Sequence, residues 1–289
     1  MSVIGVVGAG VMGVGVAQNL ASTGHDVVLV DISEEILADA LATIRNNCRM
    51  SRLTGGPAVD ADEVLSRITT GVGAEAVAGA DFIIENVPED WTIKRQVFAE
   101  LDAACKPDTI FVVNTSAIPI TKVATVTGRP DKVIGVHYMN PVPKKPAVEL
   151  IPGVHTSEQT VERTKEMLAG MGKKAIELND SCGFISNRLS HVLMNEAAYL
   201  VYEGVATAEA VDEVFRSCFG HPMGPLETAD LIGVDTVLYS IDVLYDHYRD
   251  SKYRPCPLLM QMTDAGYHGR KSGRGFYDYR GSNRVAGAA

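Results

Sequence analysis

The chain of 289 residues has few cysteines, and their positions indicate neither a disulfide framework nor a structural zinc site. Their number is odd, they lie far apart, and no two of them form a C-x-x-C pair. This pattern is typical of a reducing compartment, in which thiols stay free. We interpret Cys182, which lies near a candidate site, as a packing residue. The five cysteines are Cys48, Cys105, Cys182, Cys218 and Cys256.

The sequence also lacks an apolar run that is long enough to span a bilayer. The first predicted strand begins at residue 3, which leaves no room for a signal or transit peptide before it. We therefore expect a cytoplasmic protein without a membrane partner.

Positive charge is scarce, because 26 lysines and arginines stand against 36 aspartates and glutamates, for a formal net charge of -10. No extended cluster of lysine and arginine offsets this excess of acid, so the composition argues against nucleic acid as a partner. Internal repeats and low-complexity segments are absent as well. At this length, one or two globular domains are expected.

The most informative feature that is present is a glycine-rich turn, the hexapeptide GAGVMG at residues 8–13. It follows an apolar run at residues 3–7 and opens an amphipathic segment that ends at Gly24. A second apolar run, residues 27–30, then stops at Asp31. This order of strand, glycine turn, helix, strand and acid is the context that a dinucleotide-binding G-x-G-x-x-G motif requires.

Each part of this motif has a physical role. Gly8 allows the tight turn, Gly10 lets the backbone approach a pyrophosphate, and Gly13 lets the helix pack closely on the sheet. The pyrophosphate would lie on the N–H groups at the N-terminus of the helix. Asp31 would accept hydrogen bonds from the adenosine ribose and would repel a 2′-phosphate, which predicts NAD rather than NADP as the cofactor.

Strand and helix signals alternate from residue 3 to about residue 180, which predicts a mostly parallel, doubly wound sheet. After about residue 183 only helical spacing remains, as in the apolar positions between residues 188 and 203. We therefore predict an α/β chain with a Rossmann-type domain over residues 1–183 and an all-helical domain over residues 184–289. The predicted strands are 3–7, 27–30, 67–70, 82–87, 109–113, 133–136, 147–151 and 174–178.

Four polar residues stand where apolar strands end or where the helical part begins: Ser116, His137, Glu149 and Asn187. Ligands of such sheets bind outside the carboxyl ends of the strands. Hydride transfer from an alcohol requires a base for the hydroxyl proton, and a histidine oriented by a carboxylate suits this role. His137 and Glu149 could form that pair, while Ser116 and Asn187 could donate hydrogen bonds to substrate oxygens.

Structural roles are the alternative for each of these residues. A histidine at the end of a strand is often structural or solvated, and Glu149 could face water on an edge strand. Ser116 and Asn187 could each cap the helix that follows. Taken singly, these residues leave the choice open.

Eight segments together resemble the L-3-hydroxyacyl-CoA dehydrogenase family, which includes bacterial 3-hydroxybutyryl-CoA dehydrogenases. The resemblance covers nearly the whole chain, in both order and spacing. The segments are GAGVMG at 8–13, ENVPE at 85–89 with Lys94, NTS at 114–116, GVHYMNP at 135–141, VE at 148–149, GFISNR at 183–188, HPMGP at 221–225 and KSGRGFY at 271–277.

The resemblance implies that His137 is the general base, that Glu149 orients it, and that Ser116 and Asn187 bind the reacting oxygen. It also implies that Glu89 and Lys94 contact the nicotinamide half of NAD or lie beside it. Family members form dimers through the helical domain, so a homodimer is expected. We expect no metal site. The expected cofactor-binding residues are Gly8, Gly10, Val11, Met12, Gly13, Asp31, Glu89, Lys94 and Asn114.

Two stretches depart from the family pattern in ways that concern the substrate. Residues 45–57 contain arginines but no lysine, whereas CoA-using relatives have lysines there for the CoA phosphates. Arg49 or Arg52 could still meet a phosphate, since guanidinium binds it well. Residues 143–146 read PKKP where an apolar run is usual. These two lysines could meet a carboxylate, a phosphopantetheine phosphate or an acidic carrier protein, or could belong to a solvated loop.

The sequence therefore predicts the reaction more firmly than the group that carries the acyl chain. We expect an NAD-dependent dehydrogenase that acts on the C3 hydroxyl of a 3-hydroxyacyl-CoA, of the 3-hydroxybutyryl-CoA type, in fatty acid metabolism. An alternative substrate is a 3-hydroxyacyl unit on an acyl carrier protein, such as a glyceryl group, and a free polyol or sugar acid is another. A remote alternative is an NAD-binding protein without turnover.

Overall fold

A computed structural model describes residues 3–53, 59–281 and 285–286 of the chain. The chain divides into two compact units, Met1–Ser181 and Cys182–Ala289, called here the N-terminal and C-terminal domains. The boundary predicted after residue 183 lies close to this division. Each domain encloses a hydrophobic core of its own.

The N-terminal domain is built on one sheet of eight strands, in the order β3-β2-β1-β4-β5-β6-β7-β8. Every neighbouring pair is parallel except β6 and β7, which are antiparallel. This confirms the mostly parallel, doubly wound sheet that the sequence predicts. The strands are β1 Val3–Val7, β2 Asp26–Asp31, β3 Ile68–Val72, β4 Phe82–Glu85, β5 Ile110–Val113, β6 Val133–His137, β7 Ala147–Pro152 and β8 Lys174–Glu177.

Helices connect these strands, as expected for right-handed crossovers in such a fold. Four of them begin at a side-chain N-cap, provided by Ser33, Asp60, Asp90 and Ser157. The Ser33 hydroxyl accepts from the Ile36 N–H at 3.3 Å, and the Asp90 carboxylate accepts from the Ile93 N–H at 3.0 Å. Residues 54–58, which include the helix-breaking Gly55-Gly56-Pro57 segment of the sequence, and the side chain of Arg52 lie outside the described residues. The helices are α1 Val11–Ser22, α2 Glu34–Leu53, α3 Ala61–Ser66, α4 Trp91–Ala104, α5 Ile120–Ala124 and α6 Glu158–Gly170.

The centre of the sheet is covered on both faces, and every residue of β4 and β5 is buried. Phe98 of α4 packs edge-on against Phe111 of β5, with ring centroids 5.9 Å apart. This contact fixes α4 beside the two central strands. Lys94, one turn earlier on α4, is thereby held in the interior, where its side chain has no exposed surface.

The C-terminal domain is helical, as predicted, with one small exception. Residues 277–278 and 285–286 pair as two short antiparallel strands, β9 Tyr277–Asp278 and β10 Val285–Ala286. Strands of two residues are too short to leave a period in the sequence, so the all-helical prediction missed them. The helices are α7 Ser186–Tyr202, α8 Ala208–Ser217, α9 Pro225–Ile232, α10 Val234–Tyr248 and α11 Pro257–Asp264.

Two buried aspartates join the segments of this domain. Asp212 accepts hydrogen bonds from the backbone N–H groups of Leu226 and Glu227, both at 2.8 Å, at the start of α9. Asp230 accepts from the N–H groups of Phe276 and Tyr277, both at 3.0 Å. Burial raises the pKa of Asp230 to about 6, although these backbone hydrogen bonds act in the opposite direction.

Candidate active site

The antiparallel pairing of β6 with β7 places His137 directly opposite Glu149. The imidazole Nδ1 lies 2.7 Å from the Glu149 Oε2, and both residues are buried. Opposite residues of antiparallel strands bring their Cβ atoms within about 4.5–5.5 Å, close enough for this contact. Glu149 therefore faces the imidazole rather than water. Its strand β7 is also not an edge strand, since it lies between β6 and β8.

A hydrogen bond from Nδ1 to the carboxylate determines what the other ring nitrogen can do. When Nδ1 carries the ring proton and donates a hydrogen bond to Glu149, Nε2 of the neutral ring is a hydrogen-bond acceptor. The hydroxyl Oγ of Ser116 lies 3.2 Å from this Nε2. Glu149, His137 and Ser116 thus form one line of contacts, with the basic nitrogen at the serine end.

The turn that carries Ser116 is held by Glu89, from the connection between β4 and α4. The Glu89 Oε1 accepts from the Thr115 hydroxyl at 2.5 Å and from the backbone N–H groups of Ser116 and Ala117 at 3.0 Å each. One carboxylate oxygen therefore fixes the backbone on both sides of the Ser116 Cα. Ser116 does not cap the next helix, since the residue before α5 is Pro119.

Lys94 lies beneath the same turn, with no exposed side-chain surface. Its Nζ donates to both carboxylate oxygens of Glu85 at 2.8 Å and to the Asn114 carbonyl at 3.0 Å. The Oε2 of Glu89 lies 3.7 Å from the same nitrogen. Burial raises the pKa of Glu85 to about 7, while the charge of Lys94 opposes this rise. Lys94 thus stabilises the turn that carries Ser116 through its buried hydrogen bond to the Asn114 carbonyl.

Glu85 is a residue of this region that the sequence reasoning missed. It is the last residue of β4 and is fully buried. The signal that could have found it is the one used for the other candidates, a polar residue at the end of an apolar strand. In the sequence, Glu85 stands out only as part of the ENVPE segment at 85–89.

Asn114 ties together the ends of three strands. Its side-chain Nδ2 donates to the Asn86 Oδ1 at 2.8 Å, and its Oδ1 accepts from the Tyr138 N–H at 3.3 Å. These neighbours follow β4 and β6, while Asn114 follows β5. The residue that was expected to bind the cofactor therefore also sets the spacing of the strand ends around the site.

The glycine-rich turn has the geometry that a dinucleotide needs. Gly8 has a φ of +93°, and a Cβ on Gly13 would lie 1.7 Å from the Gly8 carbonyl oxygen, so neither position accepts a side chain. A Cβ on Gly10 would meet no atom within 4 Å. Gly10 is thus not needed for packing within the chain, which leaves open space for a ligand beside the backbone.

The N-terminus of α1 borders that open space. The helix begins at Val11, which is exposed, and Met12 follows as a half-buried residue. N–H groups in the first turn of a helix have no partner within the helix, and they attract a pyrophosphate. A cavity of about 460 Å³ adjoins the turn and is lined by residues that include Gly10, Val11 and Val14. These features fit a bound NAD.

Asp31 ends β2 next to the glycine-rich turn. Its Oδ2 accepts from the Ala9 N–H at 2.6 Å and its Oδ1 accepts from the Ile32 N–H at 2.7 Å. The carboxylate is half-buried. It therefore lies at the place in this motif where an acid accepts hydrogen bonds from the adenosine ribose of a dinucleotide.

The remaining candidate, Asn187, lies in the C-terminal domain. It is the second residue of α7, and its carbonyl oxygen is 3.1 Å from the His191 Nδ1. The residue before α7 is Ile185, so Asn187 is not the N-cap. The structure thus brings Ser116, His137 and Glu149 together in the N-terminal domain and places Asn187 at the start of the first helix of the other domain.

The basic residues of the two departing stretches differ in their surroundings. Arg45 forms a 2.6 Å ion pair with Asp62, whereas the side chain of Arg49 is exposed. Lys144 and Lys145 are both exposed. The buried Lys173 donates to the carbonyl oxygens of Val142 at 2.6 Å and Lys145 at 2.7 Å, which holds the backbone of this loop.

Within residues 3–53, 59–281 and 285–286, no group of three or more His, Cys, Asp or Glu residues is placed to hold a metal ion. The same residues include no helix with the length and apolar character that crossing a membrane requires. The five cysteines all lie in the described part of the chain and form no disulfide, and Cys182 is buried, as its interpretation as a packing residue requires.

A doubly wound sheet with a glycine-rich turn, an acid at the end of β2 and a histidine held by a carboxylate defines a class, the NAD-dependent oxidoreductases that act on an alcohol. The chain belongs to the 3-hydroxyacyl-CoA dehydrogenase family. The family's NAD binding domain matches residues 3–181, and its C-terminal domain matches residues 183–279. The resemblance seen in the sequence, the cofactor NAD and the class of enzyme are thereby confirmed.

Individual relatives agree with this assignment over nearly their whole length. A protein of Bacillus subtilis named "Probable 3-hydroxybutyryl-CoA dehydrogenase" is 46% identical, and the match covers 95% of this chain and 96% of that one. A 3-hydroxybutyryl-CoA dehydrogenase of Bradyrhizobium diazoefficiens is 45% identical, over 98% of this chain and 97% of that one. The crystal structure of (S)-3-hydroxybutyryl-CoA dehydrogenase from Ralstonia eutropha shares 39% identity and a TM-score of 0.92, covering 97% of this chain and 100% of the other.

Proposed function

We propose that this protein interconverts a 3-hydroxyacyl-CoA and the corresponding 3-ketoacyl-CoA, with a short acyl chain of the 3-hydroxybutyryl type, in fatty acid metabolism. The observation that carries the proposal is the line of contacts from Glu149 through His137 to Ser116, at 2.7 Å and 3.2 Å. The names of the most similar relatives support the acyl group.

The proposed mechanism assigns a role to each of these side chains. In the oxidation, Nε2 of His137 takes the proton of the C3 hydroxyl while a hydride leaves C3, so that the alcohol becomes a ketone. A bound NAD supplies the hydride acceptor. Ser116 donates a hydrogen bond to the reacting oxygen, and Asn187 is proposed as a second donor. Glu149 stabilises the imidazolium that forms, and in the reduction the imidazolium returns its proton to the oxygen.

The cofactor residues follow the same proposal. The first turn of α1, with Gly10, Val11 and Met12, would hold the pyrophosphate, and Asp31 would accept from the ribose hydroxyls. Asn114, Glu89 and Lys94 would then form the part of the chain beside the nicotinamide half. Since Lys94 already donates to three oxygens within 3.0 Å, we propose that it does not bind NAD directly but holds Glu85 and Asn114 in place beside the nicotinamide half.

The acyl carrier is proposed to be CoA. One observation favours a second candidate, an acyl carrier protein, because Lys144 and Lys145 are exposed and could meet acidic residues or a phosphopantetheine phosphate. The test offers NADH with acetoacetyl-CoA, with acetoacetyl carrier protein and with free acetoacetate, and follows the loss of NADH absorbance. Turnover of the CoA ester supports the first proposal, and turnover of the carrier-bound substrate alone would replace it. NADH binding without turnover of any substrate would contradict an enzymatic role.

We also propose a homodimer that forms through the C-terminal domain, in a cytoplasmic protein whose five cysteines form no disulfide, as suits a reducing compartment. Large apolar side chains exposed on the helices of this domain and on the turn after α8 support a second copy as the partner. A Phe219→Asp variant should lower the mass measured by light scattering from two chains to one, whereas Val154→Asp in the N-terminal domain should not. A wild-type protein with the mass of one chain would contradict the dimer. The exposed apolar residues include Leu189, Val214, Phe219, Leu231 and Tyr239.

A further inference from the structure

A fully buried ion pair lies under the turn that presents Ser116. Lys94 and Glu85 both have no exposed side-chain surface, and Nζ of Lys94 contacts both oxygens of the Glu85 carboxylate at 2.8 Å. Burying two charges is unfavourable, and their mutual attraction offsets this cost only when the geometry is good. A pair of this kind is therefore weak evidence for stability and invites a functional explanation.

Lys94 stands between two carboxylates, and it is shared unequally between them. Glu85 holds the ammonium with both oxygens, whereas the nearest oxygen of Glu89 is 3.7 Å away. A shift of about 1 Å would bring Lys94 and Glu89 into direct hydrogen-bond contact, at the usual N–O distance of about 2.8 Å. The position of the ammonium thus depends on the charge of Glu85.

Glu89 is the residue that would respond to such a shift. Its Oε1 accepts from the Thr115 hydroxyl and from the N–H groups of Ser116 and Ala117, at 2.5 Å to 3.0 Å. A carboxylate drawn toward Lys94 would give up part of these hydrogen bonds. The Ser116 hydroxyl, now 3.2 Å from the Nε2 of His137, would then lose its fixed position.

We propose that Glu85 is a positioning residue of the active site. By binding the Lys94 ammonium with both oxygens, it keeps Glu89 on the backbone of the 115–117 turn and so sets the distance between Ser116 and His137. Lys94 completes the arrangement by donating to the carbonyl of Asn114, at the start of the same turn. The inference rests on the proposed roles of Ser116 and His137 in the reaction.

The test replaces Glu85 by glutamine, which keeps the shape of the side chain and removes its charge. We expect Glu85→Gln to lower kcat about 10²-fold, because a misplacement of about 1 Å has an effect of that size. The KM for the acyl-CoA and the Kd for NADH should change by less than about threefold. Hydrogen exchange of the Ser116 and Ala117 amides should become about tenfold faster in the protein without ligand, since their acceptor is withdrawn.

A double variant separates charge pairing from a merely structural role. Glu85→Gln with Lys94→Met removes both charges, leaves Glu89 without a competing cation and should recover about tenfold of the kcat lost in Glu85→Gln. Buried pairs replaced by neutral residues usually fold, so this variant keeps the test available if the single variant does not fold. A double variant slower than the single one would overturn the proposal.

Asp102→Asn is the matched control, because Asp102 forms a largely buried 2.7 Å ion pair with Arg129 away from the turn. It should lower the melting temperature and leave kcat and the exchange of the 115–117 amides unchanged. A Glu85→Gln enzyme within about twofold of the wild-type kcat, or with unchanged amide exchange, would overturn the positioning role. A His137→Gln enzyme of normal kcat would instead contradict the proposed function, whatever the result at Glu85.

Discussion

His137 and Glu149 face each other across the only antiparallel pair in the eight-stranded sheet, and their side chains meet at 2.7 Å. If β7 ran parallel to β6, Glu149 would lie at a different level along the strand direction and not opposite His137. The reversal of one strand therefore creates the contact that holds the His137 ring against a carboxylate.

Replacing His137 by glutamine should remove the general base. We expect kcat to fall by about 10²–10⁴, the usual contribution of general acid–base catalysis. NADH affinity, measured by fluorescence titration, should stay within about threefold, because the residues proposed to bind NAD are untouched. His155→Gln serves as the control, since His155 is exposed and lies outside the site. Near-normal turnover of His137→Gln would refute the assignment.

Replacing Glu149 by glutamine should leave His137 in place but put the ring proton on the wrong nitrogen. The amide can donate to Nδ1, which favours the tautomer in which Nε2 carries the proton and can no longer accept one. We expect kcat to fall by roughly 10²-fold or more. Glu177→Gln, an exposed glutamate on the neighbouring strand β8, should have no effect on kcat. Equal rates for the two variants would show that Glu149 has no part in the reaction.

Replacing Asp31 by asparagine should weaken the preference for NAD over NADP. Hydrogen bonds to a charged group contribute about 1.5–3 kcal/mol, which corresponds to about 10–100-fold in the ratio of the two affinities. The ratio is measured as the Kd of NADH against that of NADPH, for the wild type and for Asp31→Asn. If wild-type protein bound NADPH more tightly than NADH, the role of Asp31 would be wrong.

Alanine substitutions at two glycines of the same turn should affect different properties, the stability of the fold at Gly13 and the affinity for NADH at Gly10. A Cβ on Gly13 would lie 1.7 Å from the Gly8 carbonyl oxygen, so Gly13→Ala should destabilise the fold by several kcal/mol. A Cβ on Gly10 meets no protein atom within 4 Å, so Gly10→Ala should keep the melting temperature and lose NADH affinity. Thermal unfolding and NADH titration of both variants check this pair. If the Gly10→Ala protein bound NADH normally, the proposed position of the pyrophosphate beside Gly10 would be wrong.

The buried carboxyl of Asp230 should make stability depend on pH. Burial raises its pKa to about 6, above the value of about 3.9 in an unfolded chain, so the folded state binds its proton more tightly. Its contribution to the free energy of unfolding is therefore fully present below about pH 4 and is lost as the pH rises through about 6. The total is of the order of 2–3 kcal/mol.

Urea unfolding at a series of pH values measures this contribution as the difference between the wild type and Asp230→Asn. That difference should change between about pH 4 and pH 7, because asparagine does not titrate. Asp264→Asn, at an exposed position on α11, is the control and should run parallel to the wild type. Parallel curves for Asp230→Asn would contradict the raised pKa.

Much of this fold could be read from local patterns. The eight strands and the helical character of the C-terminal domain follow from apolar runs, from periods of about 3.6 residues and from caps such as Ser33. The pair β9 and β10 could not be found in this way, since two residues carry no period. Nor could the sequence show that Glu85 supports the site, because its partner Lys94 lies on the following helix and only packing brings the two together.

By itself the sequence determined the nucleotide-binding turn and the family, because the glycine spacing, the strand before it and the acid after the next strand are all local. The tertiary structure alone decided which groups the polar residues at the strand ends contact. Whether Glu149 meets water or His137 depends on the direction and register of β7 in the sheet. Register is set by pairing between distant segments, so no local pattern encodes it, and only the folded sheet brings acid, imidazole and hydroxyl into one line.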